Sequence, residues 1–301
     1  MIDRVVIAWD GSRRASQAAD WAARRQDGSG TLAMVRVLDE ATVAPDWERS
    51  GGTVAGAREV LDEEIRRLTT AYPQLQVSGT VVFGRREDEL ERFAEPGTLL
   101  VLGTQERVGS RLRFRFSLAV RLAARARGPV AVVPEGATAP ADGPVVAGVD
   151  GSATSIAAAL LAAEEATRRG VKLIVVHAWW EAAEWEVGAL PLDAEVITTF
   201  ESEHRRVLEA CLQPIRARFP GLAVEPRLVH SPRADALIAA AEGASALVVG
   251  KHSRTVARAL LLGSVSRNIL LDVWTPTIVA GLPVEEELRL PGDPAAGYAA
   301  A

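Results

Sequence analysis

The feature that most restricts this chain is that it is written twice. The octet VVIAWDGS at 5–12 returns as VVAGVDGS at 145–152, 140 positions later. Further along, VSGTVVFGRREDELERFAEPGTLLVLGTQ at 77–105 lies without a gap over VEPRLVHSPRADALIAAAEGASALVVGKH at 224–252, now at an offset of 147. The same register carries GPVAVV at 128–133 onto TPTIVA at 275–280. The change of offset means that seven residues entered the second copy between its first and third strands. The predicted domains are 1–136 and 144–283, meeting at the Pro-, Gly- and Ala-rich PEGATAPADGP of 134–144, with a mobile tail over 284–301.

Each copy alternates short β-branched runs with helical patterns, the signature of a parallel sheet covered by helices. In the second copy, strands are expected at 145–149, 172–178, 222–230, 246–250 and 276–281. One helix should run from Ser152 as N-cap to Arg169 and a long one should end near Phe219. A short one should start around Pro232, and the last should open at Gly263-Ser264. The expected fold class is therefore α/β: two tandem doubly wound five-stranded parallel-sheet domains. Ligands of such sheets sit beyond the carboxyl ends of the strands where the winding reverses, which would set Asp150 and Gly250 across from each other.

Composition narrows the function classes. A chain of 301 residues that is 48% hydrophobic has a core for each half. Its net charge of -5 argues against a protein built to grip nucleic acid or an anionic membrane. The single Cys211 and four scattered histidines make neither a disulfide framework nor a zinc site. No run approaches the ~20 apolar residues of a membrane span, and MIDRVVIAWDGS lacks the pattern of a secretory signal, so the expected location is the cytoplasm.

The stretch VVGKHSRTVARALLLGSVSRNIL at 248–270 carries the most chemistry. A phosphate needs several backbone N–H groups aimed at one spot, and a glycine lets backbone approach without a Cβ. The start of a helix supplies such groups with the positive end of its dipole behind them. Gly263, Ser264, Val265 and Ser266 fit that description, while Lys251, His252 and Arg254 lie in the loop after Gly250 where they can neutralise charge. The plainer explanation makes Gly250 a turn and Ser264 an ordinary N-cap. GKHS lacks the spacing of the GxxxxGK[ST] phosphate loop.

The repeated strand-Asp-Gly-Ser start, the strand ending in Gly250 and a loop of the form Gly-x2-Gly-x9-Gly-Ser/Thr together resemble the universal stress protein family, in its tandem actinobacterial form, to about residue 283. The resemblance implies a Rossmann-like layer of the adenine nucleotide alpha hydrolase type, in which many members bind ATP and others do not. By it, Gly250 is the first motif glycine, Gly263-Ser264 the closing pair, and Val265 and Ser266 its continuation. Gly148 and Asp150 match positions near the ribose and phosphates, and His177-Ala178 the adenine side. Ser253 stands where the motif has its second glycine, and its Cβ disfavours positive φ, so affinity or ligand choice is expected to change. In the first copy, Glu106 lies under Ser253 and Phe116-Ser117 under Gly263-Ser264, which predicts a dead pocket although Asp10 and Ser12 persist. The family also pairs its domains through the last strands, here within the chain and again in a homodimer.

Other features have plainer explanations. The arginines of 107–127 suit the solvated face of a helix that buries Leu118 and Leu122 better than an RNA or acidic-partner patch. Trp9 suits the core. Trp179, Trp180 and Trp185 suit a lid or dimer contact better than a purine stack, and His204 an exposed helix face. His230 and Ser231 have no Asp partner for a triad. The expected function is stress signalling through ATP, with or without Mg²⁺, in the second domain only, at most with slow ATPase activity. A nucleotide-free interaction protein with a protein partner is the alternative. An adenylating enzyme would need a pyrophosphate loop that WDGSRRAS and VDGSATS do not offer.

Overall fold

The structure is a computed structural model and describes residues 2–39, 54–104, 118–137, 139–140, 142–180, 194–251, 262–272 and 274–281. The first half contains β1 (Arg4–Ala8), α1 (Arg13–Arg25), β2 (Ser29–Leu38), α2 (Val54–Ala71), β3 (Gln74–Phe83), α3 (Arg86–Glu91), β4 (Thr98–Thr104), α4 (Leu118–Arg125) and β5 (Val130–Pro134). The second contains β6 (Val145–Gly148), α5 (Ala153–Arg169), β7 (Leu173–Trp179), α6 (Ala194–Arg218), β8 (Val224–His230), α7 (Arg233–Ala240), β9 (Ala246–Gly250), α8 (Ser264–Asp272) and β10 (Thr277–Ala280). The five strands expected in the second half are all present, within two residues of their expected ends.

Local chemistry sets the helix ends. Ser12 Oγ accepts from Ala15 N at the start of α1, and Ser152 Oγ accepts from Ser155 N at the start of α5. The α5 helix stops at Gly170, whose φ of 64° suits a residue without a Cβ and lets its N–H reach back to the last turn. Both helices present small residues to the sheet, among them Ala18, Ala19, Ala158, Ala159, Ala162 and Ala163, all fully buried.

The ten strands form one sheet in the order β3-β2-β1-β4-β5-β10-β9-β6-β7-β8. Each half is parallel, and the halves meet where β5 and β10 pair antiparallel, Ile278 opposite Ala131. The two apolar strands that would have been exposed edges thus cover each other, the intrachain pairing that the resemblance implies. The winding reverses between β1 and β4 and again between β6 and β9, so each half has a switch point where strands one and four are neighbours.

Glycines near the end of β4 and at the end of β9 let a helix close over that point. A Cβ on Gly103 would lie 2.3 Å from Arg14 O, and one on Gly250 3.0 Å from Thr154 O. The first turns of α1 and α5 therefore rest directly on the strand ends, a packing reason for both glycines that holds without any ligand.

The C-terminal ends of α1 and α5 meet in a buried ion cluster. Arg25 and Glu165 are 4% and 2% exposed. Arg25 Nε donates to Glu165 Oε2 at 2.9 Å, and Arg25 Nη2 to Glu165 Oε1. Arg168 donates to Glu165 Oε2 at 2.7 Å and also to the Arg25 carbonyl. The α4 helix buries Leu122, with Leu118 packed beside it, and directs Arg121 and Arg125 to Glu87 and Glu91 of α3, which bears out the solvated-face reading there. Residues 107–117, with the rest of that arginine run, lie outside the described residues. No helix among the described residues is long and apolar enough to cross a membrane.

Candidate functional site

At the switch point of the second half, a cleft opens at the carboxyl ends of β6, β7 and β9. It is lined by Gly148, Val149 and Asp150 after β6, Ser155 of α5, Val176 and Ala178 of β7, Arg233 and Leu237 of α7, and Val249 and Gly250 of β9. Gly263, Ser264, Val265 and Ser266 at the mouth of α8 complete the wall. Eight of the eleven residues expected from the sequence thus converge here: Gly148, Asp150, Ala178, Gly250, Gly263, Ser264, Val265 and Ser266.

Backbone geometry gives the cleft its polarity. The first intrahelical bond of α8 runs from Arg267 N to Gly263 O at 2.9 Å. The amides of Ser264, Val265 and Ser266 come before it and have no acceptor within the helix, which directs N–H groups and the positive dipole end toward the cleft. Gly263 N donates to Lys251 O at 3.0 Å and so closes the base of the intervening loop. Ser266 Oγ donates to Gly250 O at 2.7 Å. That hydroxyl's single proton holds helix to strand, so Ser266 offers a ligand its amide rather than its O–H.

The floor is set by what is absent at Gly148. A Cβ there would approach Leu237 Cδ1 to 2.8 Å and Val249 Cγ1 to 3.4 Å, so the open space between β6 and α7 depends on hydrogen at this position. Asp150 follows on the same strand end. Its carboxylate accepts from Ser152 N at 3.0 Å and from the Ser152 hydroxyl, which fixes the turn that starts α5.

Two expected residues are displaced from the cleft. Successive side chains of a strand point to opposite faces, so with Val176 and Ala178 lining the cleft, His177 turns the other way. It is 4% exposed, with Nδ1 2.8 Å from Val149 O and Nε2 2.9 Å from His204 Nδ1. A carbonyl only accepts, so Nδ1 of His177 carries a proton, and in the neutral ring Nε2 accepts from His204. His204, expected to be exposed, is half-buried in this pair. Lys251, expected as a phosphate partner, is 2% exposed, and its Nζ donates to Ala126 O of the first half at 2.9 Å. Burial pushes its ammonium below the ordinary lysine range, with Glu91 opposing the shift. Ser253, His252 and Arg254 lie outside the described residues.

Trp179 is also turned inward, as alternation requires. It is 3% exposed and stacks between His204 and His230, ring centroids 5.0 and 4.1 Å away, so it is neither lid nor purine platform. Trp180 meets His230 at 5.2 Å, and Trp185 lies outside the described residues.

Six lining residues were not among those expected from the sequence, Val149, Ser155, Val176, Leu237, Val249 and Arg233, and of these Arg233 carries a charge. Arg233 opens α7 beyond β8, is exposed, and supplies a cation at the rim. The available signal was its place, since SPRAD follows directly on a strand whose carboxyl end faces the switch point.

The corresponding mouth in the first half is built differently. Asp10 keeps its bonds from Ser12 but also takes Arg14 at 2.9 Å. Burial would raise its pKa, but the Ser12 hydroxyl and Arg14 outweigh that and hold the carboxyl below its usual range. Trp9 is a core residue, 4% exposed, with the Arg36 guanidinium 5.6 Å from its ring centre. Glu106, Phe116 and Ser117 lie outside the described residues.

Comparison with known proteins agrees with this architecture. A family model described as "Universal stress protein family" matches residues 1–134 and again 143–281. A universal stress protein of Mycobacterium tuberculosis is 30% identical, covering 97% of this chain and 96% of its own. A second from the same organism is 32% identical over 92% of this chain and 96% of its own. Among solved structures, a universal stress protein from Archaeoglobus fulgidus DSM 4304 superposes with a TM-score of 0.64 at 15% identity, covering 93% of this chain and 99% of that one, which supports the fold. With both halves matched and relatives of the same two-repeat length, the chain belongs to the universal stress protein family.

Proposed function

We propose that the second half binds an adenine nucleotide, ATP in the first instance, and that occupancy of this cleft serves stress signalling rather than turnover. The observation that carries the reading is the convergence of Gly148, Asp150 and Gly250 with the amino end of α8 in one cleft that has Arg233 at its rim. Free first-turn amides and a guanidinium are the donors an anionic phosphate chain requires, and the glycines let it approach backbone. Asp150 would supply an oxygen ligand for a ribose hydroxyl or Mg²⁺, and it is the one carboxylate or imidazole among the described residues that line the cleft. In the first half, the Arg14 clamp on Asp10 supports a single competent site per chain.

A specific observation favours a second reading. The Lys251 ammonium and the Ser266 proton, two expected phosphate donors, are engaged within the protein, as a nucleotide-free interaction module would allow. Pairing between chains belongs to either reading. With β5 and β10 covering each other, β3 and β8 are the outer strands to which a second copy would add.

The deciding experiment is an equilibrium titration with Mg-ATP of the native chain beside Gly263→Phe, which copies Phe116 into the cleft wall. One nucleotide per chain, lost in the variant, is expected. A folded native chain that takes up none at millimolar nucleotide would discard the reading in favour of the interaction module.

A further inference from the structure

Lys251 directly follows Gly250, yet its ammonium serves the other half of the chain. Its backbone carbonyl receives Gly263 N at 3.0 Å, fixing the base of the cleft loop, while its Nζ crosses the junction to Ala126 O at 2.9 Å. Ala126 lies just past α4, where Ala126 N donates to Leu122 O at 2.8 Å. The next two amides, Arg127 N and Gly128 N, both donate to Ala94 O, at 3.0 and 2.6 Å. The second half grips this turn at another point, since a Cβ on Gly281 would lie 2.1 Å from Arg127 O.

Among the described residues the link has no counterpart in the opposite direction. The offset of 147 places Thr104 where the second half has Lys251, and a hydroxyl two bonds from the backbone cannot make the reach of a lysine. From the Ala126–Gly128 turn, α4 is braced to α3 by Arg121 with Glu87 and Arg125 with Glu91. One continuous set of bonds therefore runs from the amide of Gly263, in the cleft wall, to the α3–α4 face of the half with the clamped Asp10.

We propose that Lys251 is a positioning residue that couples the second-half cleft to the Ala126–Gly128 turn of the first half, so that nucleotide held by the α8 amides is read out on the α3–α4 face. This regulation rests on the nucleotide reading above. A ligand that orders Gly263 fixes Lys251 O, and the same residue's ammonium is then held on Ala126 O. By linkage, whatever stabilises the turn also favours the ligand.

The test is amide hydrogen exchange on the full chain, native and Lys251→Met, with and without Mg-ATP. In the native chain, Mg-ATP should slow exchange over 263–267 and also over 126–128. In the variant it should still slow 263–267 but leave 126–128 unchanged, and its affinity should fall by about fivefold, the lower end of ordinary site-to-site coupling. Protection confined to 263–267 in the native chain, or transmitted undiminished in the variant, overturns the proposal. If the native chain shows no protection by Mg-ATP anywhere, the nucleotide reading fails, and the ligand-free arms decide the coupling. The variant must then exchange roughly tenfold faster at both Gly263 and Gly128, the scale of a lost charge-assisted bond, and an unchanged Gly263 amide refutes the link. Lys251→Gln, a shorter neutral donor, repeats the comparison should the methionine variant not fold.

Discussion

Replacing Glu165 by leucine tests the account of how the two halves are held. In the native chain the Arg25 guanidinium is almost fully buried and Glu165 answers its charge. Glu165→Leu leaves that cation buried beside Arg168 without its hydrogen-bonded counter-ion, a loss of about 3–5 kcal/mol for a buried pair broken on one side. The double variant Arg25→Met/Glu165→Leu removes both buried charges and leaves the part-exposed Arg168 without its carboxylate, so it should recover most of that loss. With a urea dependence of about 2 kcal/mol per molar, the single variant's midpoint should fall by roughly 2 M and the double variant's by clearly less. The sign of the pH dependence is fixed as well. Burial would raise the Glu165 pKa, but Arg25 and Arg168 outweigh it and hold the group below its ordinary 4.5. A depressed carboxyl contributes stability that is fully present above the unfolded value and is lost as pH falls through the folded one. The native chain should therefore lose stability relative to the double variant on acidification below about 4.5, as urea midpoints along a pH series will report. A single variant within about 0.5 kcal/mol of native, the range of an ordinary surface change, would refute the reasoning.

Other expectations follow from the cleft and the strand ends. Gly148→Leu should abolish Mg-ATP uptake in a titration and lower stability by about 1–3 kcal/mol through overpacking against Leu237 and Val249. Arg233→Ala should weaken nucleotide binding by about tenfold at low salt and by less at high salt, because an exposed cation is screened. Gly103→Ala, whose new carbon meets the Arg14 carbonyl at 2.3 Å, should shift the urea midpoint further than Gly250→Ala, where the approach to Thr154 O is 3.0 Å.

Much of this was legible in the sequence because repetition exposes it. Two copies of strand-Asp-Gly-Ser, with Gly103 and Gly250 near matching strand ends, give the paired parallel sheets and their switch points, and the family resemblance points to eight residues that line the cleft. What stayed hidden depends on facing and on the partner half. The side of the sheet to which His177 turns follows from alternation only once Val176 and Ala178 are known to face the cleft. The direction taken by Lys251 depends on Ala126, a residue 125 positions away brought close by the antiparallel β5–β10 junction. Apolar edge strands announced that they would be covered, but their antiparallel register is a property of how the two halves meet. Arg233 went unremarked because a single arginine at a helix start is common, and only the cleft gives it meaning.

The β5–β10 junction also fixes how this protein responds to its own dilution. Each half finds its complement tethered at an effective concentration of the order of millimolar, so the sheet stays joined at any abundance the cell sets. Assembly of the paired unit is thereby independent of expression level. A chain with one competent cleft per joined pair would then report ligand concentration alone, along a simple hyperbolic curve, at every expression level.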